Sequence, residues 1–460
     1  MADQATAQEF DILVLGGGSG GYAAALRAVQ LGFTVGLVEK GKLGGTCLHN
    51  GCIPTKALLH SAEVADHARD GAKYGVNVEL QSIDMNAVNA YKDGIVAGKY
   101  KGLQGLIKGK GITVIEGEGK LTAPDTITVN GTAYKGKNII LGTGSYSRSL
   151  PGLEIGGRVI TSDQALTMDY VPKSVIVLGG GVIGVEFASV WKSFGVDVTI
   201  VEGLPSLVPN EDASIIKVLE RTFKKRGIKF NTGTFFQGVE QDNDGVKVTL
   251  VDGKTFEADL LLVAVGRGPS TAGLGFEEAG VTVDRGFVIT NERLHTGVGN
   301  VYAVGDIVPG VQLAHRGFQQ GIFVAEEIAG LKPVVVEDIN VPKVTFCDPE
   351  IASVGYSEKA AKEKFGEDRV ESTEYNLAGN GKSAILGTGG IIKFVREKDG
   401  PVVGVHMIGT RVGEQIGEAQ LIVNWEAYPE DVAGLIHAHP TQNEALGEAA
   451  MALAGRPLHG

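Results

Sequence analysis

Two stretches of the chain share one pattern of apolar and glycine-rich segments. DILVLGGGSGGYAAALRAVQLGFTVGLVEK begins at Asp11, and SVIVLGGGVIGVEFASVWKSFGVDVTIVEG begins 163 residues later at Ser174. Each opens with an apolar run suited to a buried parallel strand, passes a glycine turn and enters a helix of small and apolar residues. A single glycine, Gly32 or Gly195, then leads into a second β-branched strand that closes on Glu39 or Glu202. The runs LGTGS (Leu141 to Ser145), VAVGR (Val263 to Arg267) and VYAVGD (to Asp306) are further apolar strands ending in glycine turns. Beyond about Asn340 the pattern changes. VPKVTFCDPEIASVGYS, GTGGIIKFV and PVVGVHMIGT alternate as antiparallel strands do, and helices are expected around Glu414 to Trp425 and Glu444 to Ala454. The chain is therefore expected to be α/β, with two parallel-sheet units followed by a separate α+β domain.

The glycines of the repeat carry chemistry. Gly16, Gly18 and Gly21 match Gly179, Gly181 and Gly184, and each closing glutamate lies 18 residues after the third glycine. A G-x-G-x-x-G between strand and helix, followed by an acid about 20 residues on, is a dinucleotide fingerprint. Glycine permits the tight turn and the approach of a pyrophosphate to the unpaired N–H groups of the helix start. The acid accepts hydrogen bonds from a ribose diol. Two glycine turns kept merely for packing would not require both acids. Asp306 could serve a sugar or ribityl hydroxyl in the same way, or could be a strand-end turn residue.

Composition narrows the class. Lys and Arg number 42 against 54 Asp and Glu, a formal charge of -12 that argues against nucleic acid as a partner. The lysines between Lys99 and Lys110 read as a solvated helix face. No window offers the roughly 20 apolar residues of a membrane helix. MADQATAQEF lacks the basic start and apolar run of an export signal, and AGRPLHG matches no sorting or lipidation signal. A cytoplasmic protein is expected. The 68 glycines among 460 residues, about twice the ~7% average, point to many tight turns and close ligand approaches.

Only three cysteines occur, and two of them, Cys47 and Cys52, lie five apart in GGTCLHNGCIPTK. Pro54 and TKALLHSAEVADHA suggest that a helix opens there, with proline in its first turn. The positive end of a helix favours thiolate. Packed thiols are one reading of such a pair. Structural zinc would need His49 and His60 at a spacing that fits no usual site, so no metal is expected. Between two nucleotide fingerprints a reversible disulfide accounts for the pair better. In HAHPTQNE, from His437 to Glu444, His439 could move protons near neutral pH with Glu444 fixing its tautomer. Thr441 to Glu444 is also a capping box, so Glu444 could equally cap a helix.

GGTCLHNGCIPTK, both fingerprints, VYAVGD and HAHPTQNE together resemble the pyridine nucleotide-disulfide oxidoreductases, over almost the whole chain and in the family's order. The resemblance implies two Rossmann-like dinucleotide-binding domains and a C-terminal dimerisation domain. Residues 1–150 and 271–340 would bind FAD, 151–270 would bind NAD, and 341–460 would form the interface of a homodimer. It implies that Cys47 is the thiol exchanging with substrate and that Cys52 lies nearer the flavin. Lys56 would lie near the flavin's reactive nitrogen and pair with Glu186. FAD would be held by the first fingerprint, Glu39, Thr46, Gly119, Thr143, Gly144, Asp306 and the run Leu313, Ala314, His315. NAD would be held by the second fingerprint, Glu202 and Gly266. His439 would be the acid–base oriented by Glu444, with His437 structural. Electrons would pass from a dihydrolipoyl dithiol, through the cysteines and FAD, to NAD. The dithiol would be carried by the lipoyl-bearing acyltransferase of a 2-oxo acid dehydrogenase complex or by the carrier protein of the glycine cleavage system.

Members with a second, C-terminal redox pair are excluded, because no cysteine follows Cys347. Members that prefer NADPH place arginines after the second strand, whereas VEGLPSLVPNED has none before Arg221. A flavin-bearing binding protein with vestigial chemistry is the alternative from another class, and the intact Cys47, Cys52, His439 and Glu444 argue against it. Two departures touch the expected site: His49-Asn50 between the cysteines, where the family often has Asn-Val, and Ser270, where it often has Asn.

Overall fold

The computed structural model describes residues 8–459. The export reading of Met1 to Ala7, and Gly460 of the C-terminal run, lie outside them. The chain forms two compact units. One holds the residues up to Ala57, Asn86–Arg148 and Arg267–Asp338, and the other holds Leu58–Met85, Ser149–Gly266 and the residues from Ile339 onward.

In the first unit the strands Thr113–Glu116, Val35–Glu39, Gln8–Leu15, Thr132–Leu141 and Val301–Ala303 lie side by side in that order, all parallel. A hairpin of Gly119–Ala123 and Thr126–Val129 joins antiparallel to the start of Thr132–Leu141. The continuous apolar runs follow from this placement, since a parallel strand covered on both faces has no solvent side. Ile12, Leu13, Val14, Leu37 and Val38 are fully buried, each contributing about 1.5–3 kcal/mol of burial. The helices Ser19–Gln30 and Ala314–Ile328 pack together over this sheet. The four lysines Lys99, Lys101, Lys108 and Lys110 are all exposed, on or just beyond the helix Met85–Gly109, as a solvated face requires.

The second unit repeats the strand order with Lys229–Asn231, Asp197–Val201, Ser174–Leu178, Leu260–Val263 and Val159–Ile160, again parallel. A three-stranded antiparallel sheet, Phe236–Gln241, Val246–Leu250 and Thr255–Ala258, follows. The helix Ala213–Arg226 shows why such elements start and stop where they do. Asp212 accepts from Ser214 N–H at 3.0 Å to cap its start, and Gly227 at φ +77° ends it behind three basic residues. The same unit contains the expected antiparallel sheet, ordered Lys343–Thr345, Glu350–Gly355, Val402–Gly409, Ile391–Glu397 and Val370–Asn376. Against it pack the helices Val412–Asn424 and Glu444–Leu453, close to the stretches anticipated from the sequence.

A buried polar cluster joins the start of the helix Ala213–Arg226 to the strand Ile391–Glu397 of this sheet. Lys393 and Asp212, 4% and 2% exposed, pair at 2.9 Å, and the Lys393 ammonium also reaches Glu358 at 2.7 Å and Ser214 at 3.2 Å. Burial alone would push the lysine down, yet its carboxylate partners hold it above its ordinary range. Glu358 is drawn down to about 2, first by its hydrogen bond from Lys393. Glu358 therefore stabilises the fold fully above the ordinary glutamate range, and this is lost as pH falls towards 2. Lys393→Met strands Asp212 without its cation and is expected to cost about 3–5 kcal/mol. Urea unfolding of the intact protein checks it, and a loss below about 1 kcal/mol would mean that the carboxylates find water instead.

Candidate active site

The two fingerprints fold alike. Gly16 and Gly179 sit at φ +106° and +111°, where a side chain would be strained. A Cβ on Gly21 would lie 1.8 Å from the Gly16 carbonyl oxygen, and one on Gly184 would lie 1.9 Å from that of Gly179. These glycines let the helix press against its own turn. The middle glycine differs in kind. A Cβ on Gly181 would meet nothing within 4 Å, and one on Gly18 only the Gly45 backbone at 3.9 Å. The chain's own packing does not require glycine at either place, so the space over each helix start suits an incoming pyrophosphate. The acids are set for the next group along. Glu39 accepts from Gly17 N–H and Gly41 N–H, both at 2.7 Å, and Glu202 accepts from Gly180 N–H at 2.6 Å and Leu204 N–H at 2.7 Å. Each carboxylate is fixed and keeps lone pairs for a ribose diol. The residues present fit two dinucleotides.

Other expected positions fall around the first fingerprint's sheet. Thr143 and Gly144 follow the strand Thr132–Leu141, with Thr143 donating to the Ser270 carbonyl at 2.6 Å and Ser270 N–H returning a bond to Gly144 O at 2.9 Å. The departure at Ser270 thus acts here through its backbone. Asp306 lies in a one-turn helix, Gly305–Ile307, rather than on the strand itself, and accepts from the Ser145 hydroxyl. Leu313 caps the helix that begins with Ala314 and His315. Gly119 is buried, and a Cβ there would meet Leu15 at 2.6 Å and Val38 at 2.9 Å, so its small size serves packing. Gly266, at φ +101°, borders open space at the end of Leu260–Val263 in the second unit.

Cys47 lies in the short helix Gly45–His49, and Cys52 opens the helix Cys52–Asp70 with Pro54 in its first turn. Both are half-buried and in the thiol form. The helix-start argument predicts an easily formed thiolate at both positions, but Cys47 behaves otherwise. Its pKa is pushed far above the ordinary thiol range, first by its hydrogen bond with Cys52, then by burial and by the charge of Cys52, with Lys56 opposing. Cys47 therefore keeps its proton more firmly than an isolated thiol would, and its neighbour Cys52 is the first cause. Tyr22 senses the same pair: burial, then Cys47, raises its phenol to about 12. Beside Tyr22 runs an open groove of about 330 Å³, lined by Ala23, Leu26, Arg27, Phe318 and Ile322. His49 braces the turn, its Nε2 meeting the Leu43 carbonyl at 2.9 Å and its ring standing edge-on to Tyr100. The third cysteine, Cys347, is buried and donates to the Pro349 carbonyl.

The histidines belong to the second unit. His439 Nδ1 lies 2.8 Å from Glu444 Oε1, while Glu444 Oε2 accepts from Thr441 N–H at 2.7 Å. The two readings of Glu444 are therefore both present, one on each oxygen. The capping box is only half made, because the Thr441 hydroxyl turns to the Ala438 carbonyl. Burial would raise Glu444, but Thr441 N–H and His439 outweigh it and keep the carboxylate ionised. His439 remains 78% exposed. His437 instead pairs with Glu418 at 2.7 Å, which Asn443 also holds. Glu186 is buried and accepts from Phe346 N–H at 2.9 Å. Sequence reasoning missed Tyr22, the groove, Lys393 and Arg267.

Residues 10–321 match the model of the pyridine nucleotide-disulphide oxidoreductases, and residues 341–450 match that family's dimerisation domain. The chain belongs to this family of FAD- and NAD-linked disulfide oxidoreductases. It is 41% identical to the mitochondrial dihydrolipoyl dehydrogenase of Pisum sativum, covering 98% of this chain and 93% of the relative. It is 40% identical to a dihydrolipoyl dehydrogenase of Bacillus subtilis, covering 98% and 100%. The crystal structure of LpdA from Mycobacterium tuberculosis superposes with a TM-score of 0.89 at 26% identity, covering 97% and 99%. No helix among the described residues is long and apolar enough to cross a membrane.

Proposed function

We infer that this protein is a dihydrolipoyl dehydrogenase, returning dihydrolipoyl groups to the disulfide form with reduction of NAD. The observation that carries the reading is the thiol pair, with Cys47 in the short helix Gly45–His49 and Cys52 at the start of the helix Cys52–Asp70. His439 takes a proton from one substrate thiol, and the thiolate attacks the Cys47 sulfur of the oxidised pair. The Cys47–Cys52 bond breaks, Cys52 leaves as thiolate, and a mixed disulfide remains on Cys47. The second substrate thiol then closes the dithiolane, and its proton passes to the departing Cys47 sulfur. Two electrons have thus moved to the cysteine pair, with one proton on His439 and one on Cys47. The first fingerprint with Glu39 would hold FAD and the second with Glu202 would hold NAD. The bound flavin would supply the two-electron link between the thiols and the nicotinamide. Lys56 and Glu186 would serve the flavin's reactive edge. The groove beside Tyr22 offers Ala23, Leu26, Phe318 and Ile322 as apolar lining for the aliphatic arm of such a dithiol.

In this reading residues 1–150 with 271–340 bind FAD, 151–270 bind NAD, and 341–460 pair two copies. Exposed apolar side chains on the last of these, Ile436 at 100% and Trp425 at 75%, support a covered surface there. His439 would then act on the partner's thiols. A cytoplasmic setting and a lipoyl-bearing acyltransferase or carrier protein as partner complete the reading. The deciding experiment compares NADH formation from dihydrolipoamide with NADPH oxidation by oxidised glutathione, and activity only in the second would overturn it.

Glu202 is the expected source of cofactor choice. A 2′-phosphate would meet its fixed charge, for a discrimination on the order of 10- to 100-fold in favour of NAD. Glu202→Ala should narrow that ratio mainly through the KM for NADP. Equal efficiency with both cofactors in the unaltered enzyme would remove this role from Glu202.

A further inference from the structure

Arg267 follows the expected NAD-site residue Gly266 in sequence, yet its side chain serves the first unit. It lies on the strand Arg267–Pro269, antiparallel to Ser145–Ser147. Its Nε donates to the Ser145 hydroxyl at 2.8 Å, and that hydroxyl donates onward to Asp306. One terminal nitrogen donates to the Ser145 carbonyl at 2.7 Å and to the Thr46 hydroxyl at 3.4 Å, and the other to Ser147 Oγ at 3.3 Å. All four bonds end on neutral oxygens, so a half-buried cation stands one residue from Cys47 and meets Asp306 only through Ser145. From the opposite side, Gly44 N–H ties the same turn to the Gly17 carbonyl at 2.8 Å. The turn that carries the thiols is thus gripped between the fingerprint and Arg267.

We propose that Arg267 is a positioning residue for the redox thiols: its planar fork tethers the Thr46–Cys47 turn to the Ser145–Asp306 pair, and its charge favours the thiolate-bearing state of Cys47 and Cys52. A lysine could supply the charge but not the three-way fork. Cys52 and Lys56 on the helix Cys52–Asp70 and Tyr22 on Ser19–Gln30 bear on Cys47 directly, whereas Arg267 reaches it through Thr46. The proposal rests on these thiols being the redox pair and not on which dithiol reduces them.

The test measures the pH profile of iodoacetamide alkylation of the reduced holoenzyme, with the modified cysteine assigned by peptide mass spectrometry, alongside dihydrolipoamide kinetics. Arg267→Met should move the alkylation midpoint to higher pH and lower kcat about tenfold, the worth of one charge-assisted bond, with KM within about twofold. Arg267→Lys should restore the midpoint and leave kcat low. Thr46→Val should lower kcat and leave the midpoint in place, because it removes the tether and keeps the charge. An unmoved midpoint in Arg267→Met, or wild-type kcat in Thr46→Val, overturns the proposal. Should Arg267→Met fail to fold, the opposite behaviour expected of Arg267→Lys and Thr46→Val still decides it. A wild-type enzyme indifferent to dihydrolipoamide would refute the substrate reading instead, and the alkylation profiles would still report on Arg267.

Discussion

His439→Gln is expected to slow dihydrolipoamide oxidation by about 10²- to 10⁴-fold, the range lost with a positioned general base. Glutamine keeps a polar group beside Glu444 but cannot take the substrate's proton. Glu444→Gln should fall less far, since the histidine remains and loses only the anion 2.8 Å from its Nδ1. The larger consequence concerns mixed subunits. An isologous dimer has two equivalent sites, and in the proposed arrangement each takes its thiols from one copy and its base from the other. Cys47→Ser and His439→Gln homodimers should both be inactive towards dithiol. A purified mixed dimer of the two should recover one complete site and about half of wild-type turnover. Dithiol activity that stayed absent in a verified mixed dimer would place base and thiols in the same copy.

What could be read from the residue order was whatever repeats locally. The strand–glycine–helix pattern around Gly16 and Gly179 was legible because steric need imposes it: positive φ at the first glycine, and at the third no room for a Cβ, which would lie under 2 Å from a backbone oxygen. Glu39 and Glu202 were legible because the second strand delivers them to the same corner. Arg267 and Lys393 were not, because they find Thr46 and Asp212 across 221 and 181 residues and belong to no period. His439 and Glu444, five apart, were visible as a pair, though two readings competed for the carboxylate. A carboxylate has two oxygens, and the chain uses one for each task. The thiols show a different limit. A helix start predicts an easily ionised thiol for each cysteine taken alone, but one proton shared by neighbours cannot leave both. The second charge would lie against the first, so Cys47 moves opposite to the helix argument.

That sharing makes the two cysteine variants unequal. Cys52→Ser should abolish dithiol turnover, since no disulfide can form, and should remove the long-wavelength absorbance of the half-reduced enzyme, because a hydroxyl supplies no thiolate donor. It should also free Cys47. The largest influence holding the Cys47 proton is the Cys52 side chain, so without that thiol its pKa should fall back towards the ordinary ~8.5. A lower pKa means more thiolate at any pH between the old and new values, and Cys47 should then alkylate at a lower pH than in the reduced wild type. Cys47→Ser should equally lose dithiol turnover, yet its Cys52 sulfur stays at the helix start with no disulfide to occupy it. The long-wavelength band should therefore be present before any reductant is added. Absorbance spectra and alkylation profiles of the two proteins measure both effects. A band that survived in Cys52→Ser and vanished in Cys47→Ser would exchange the roles of the two thiols, and an unchanged Cys47 profile in Cys52→Ser would mean that burial rather than its neighbour holds the proton.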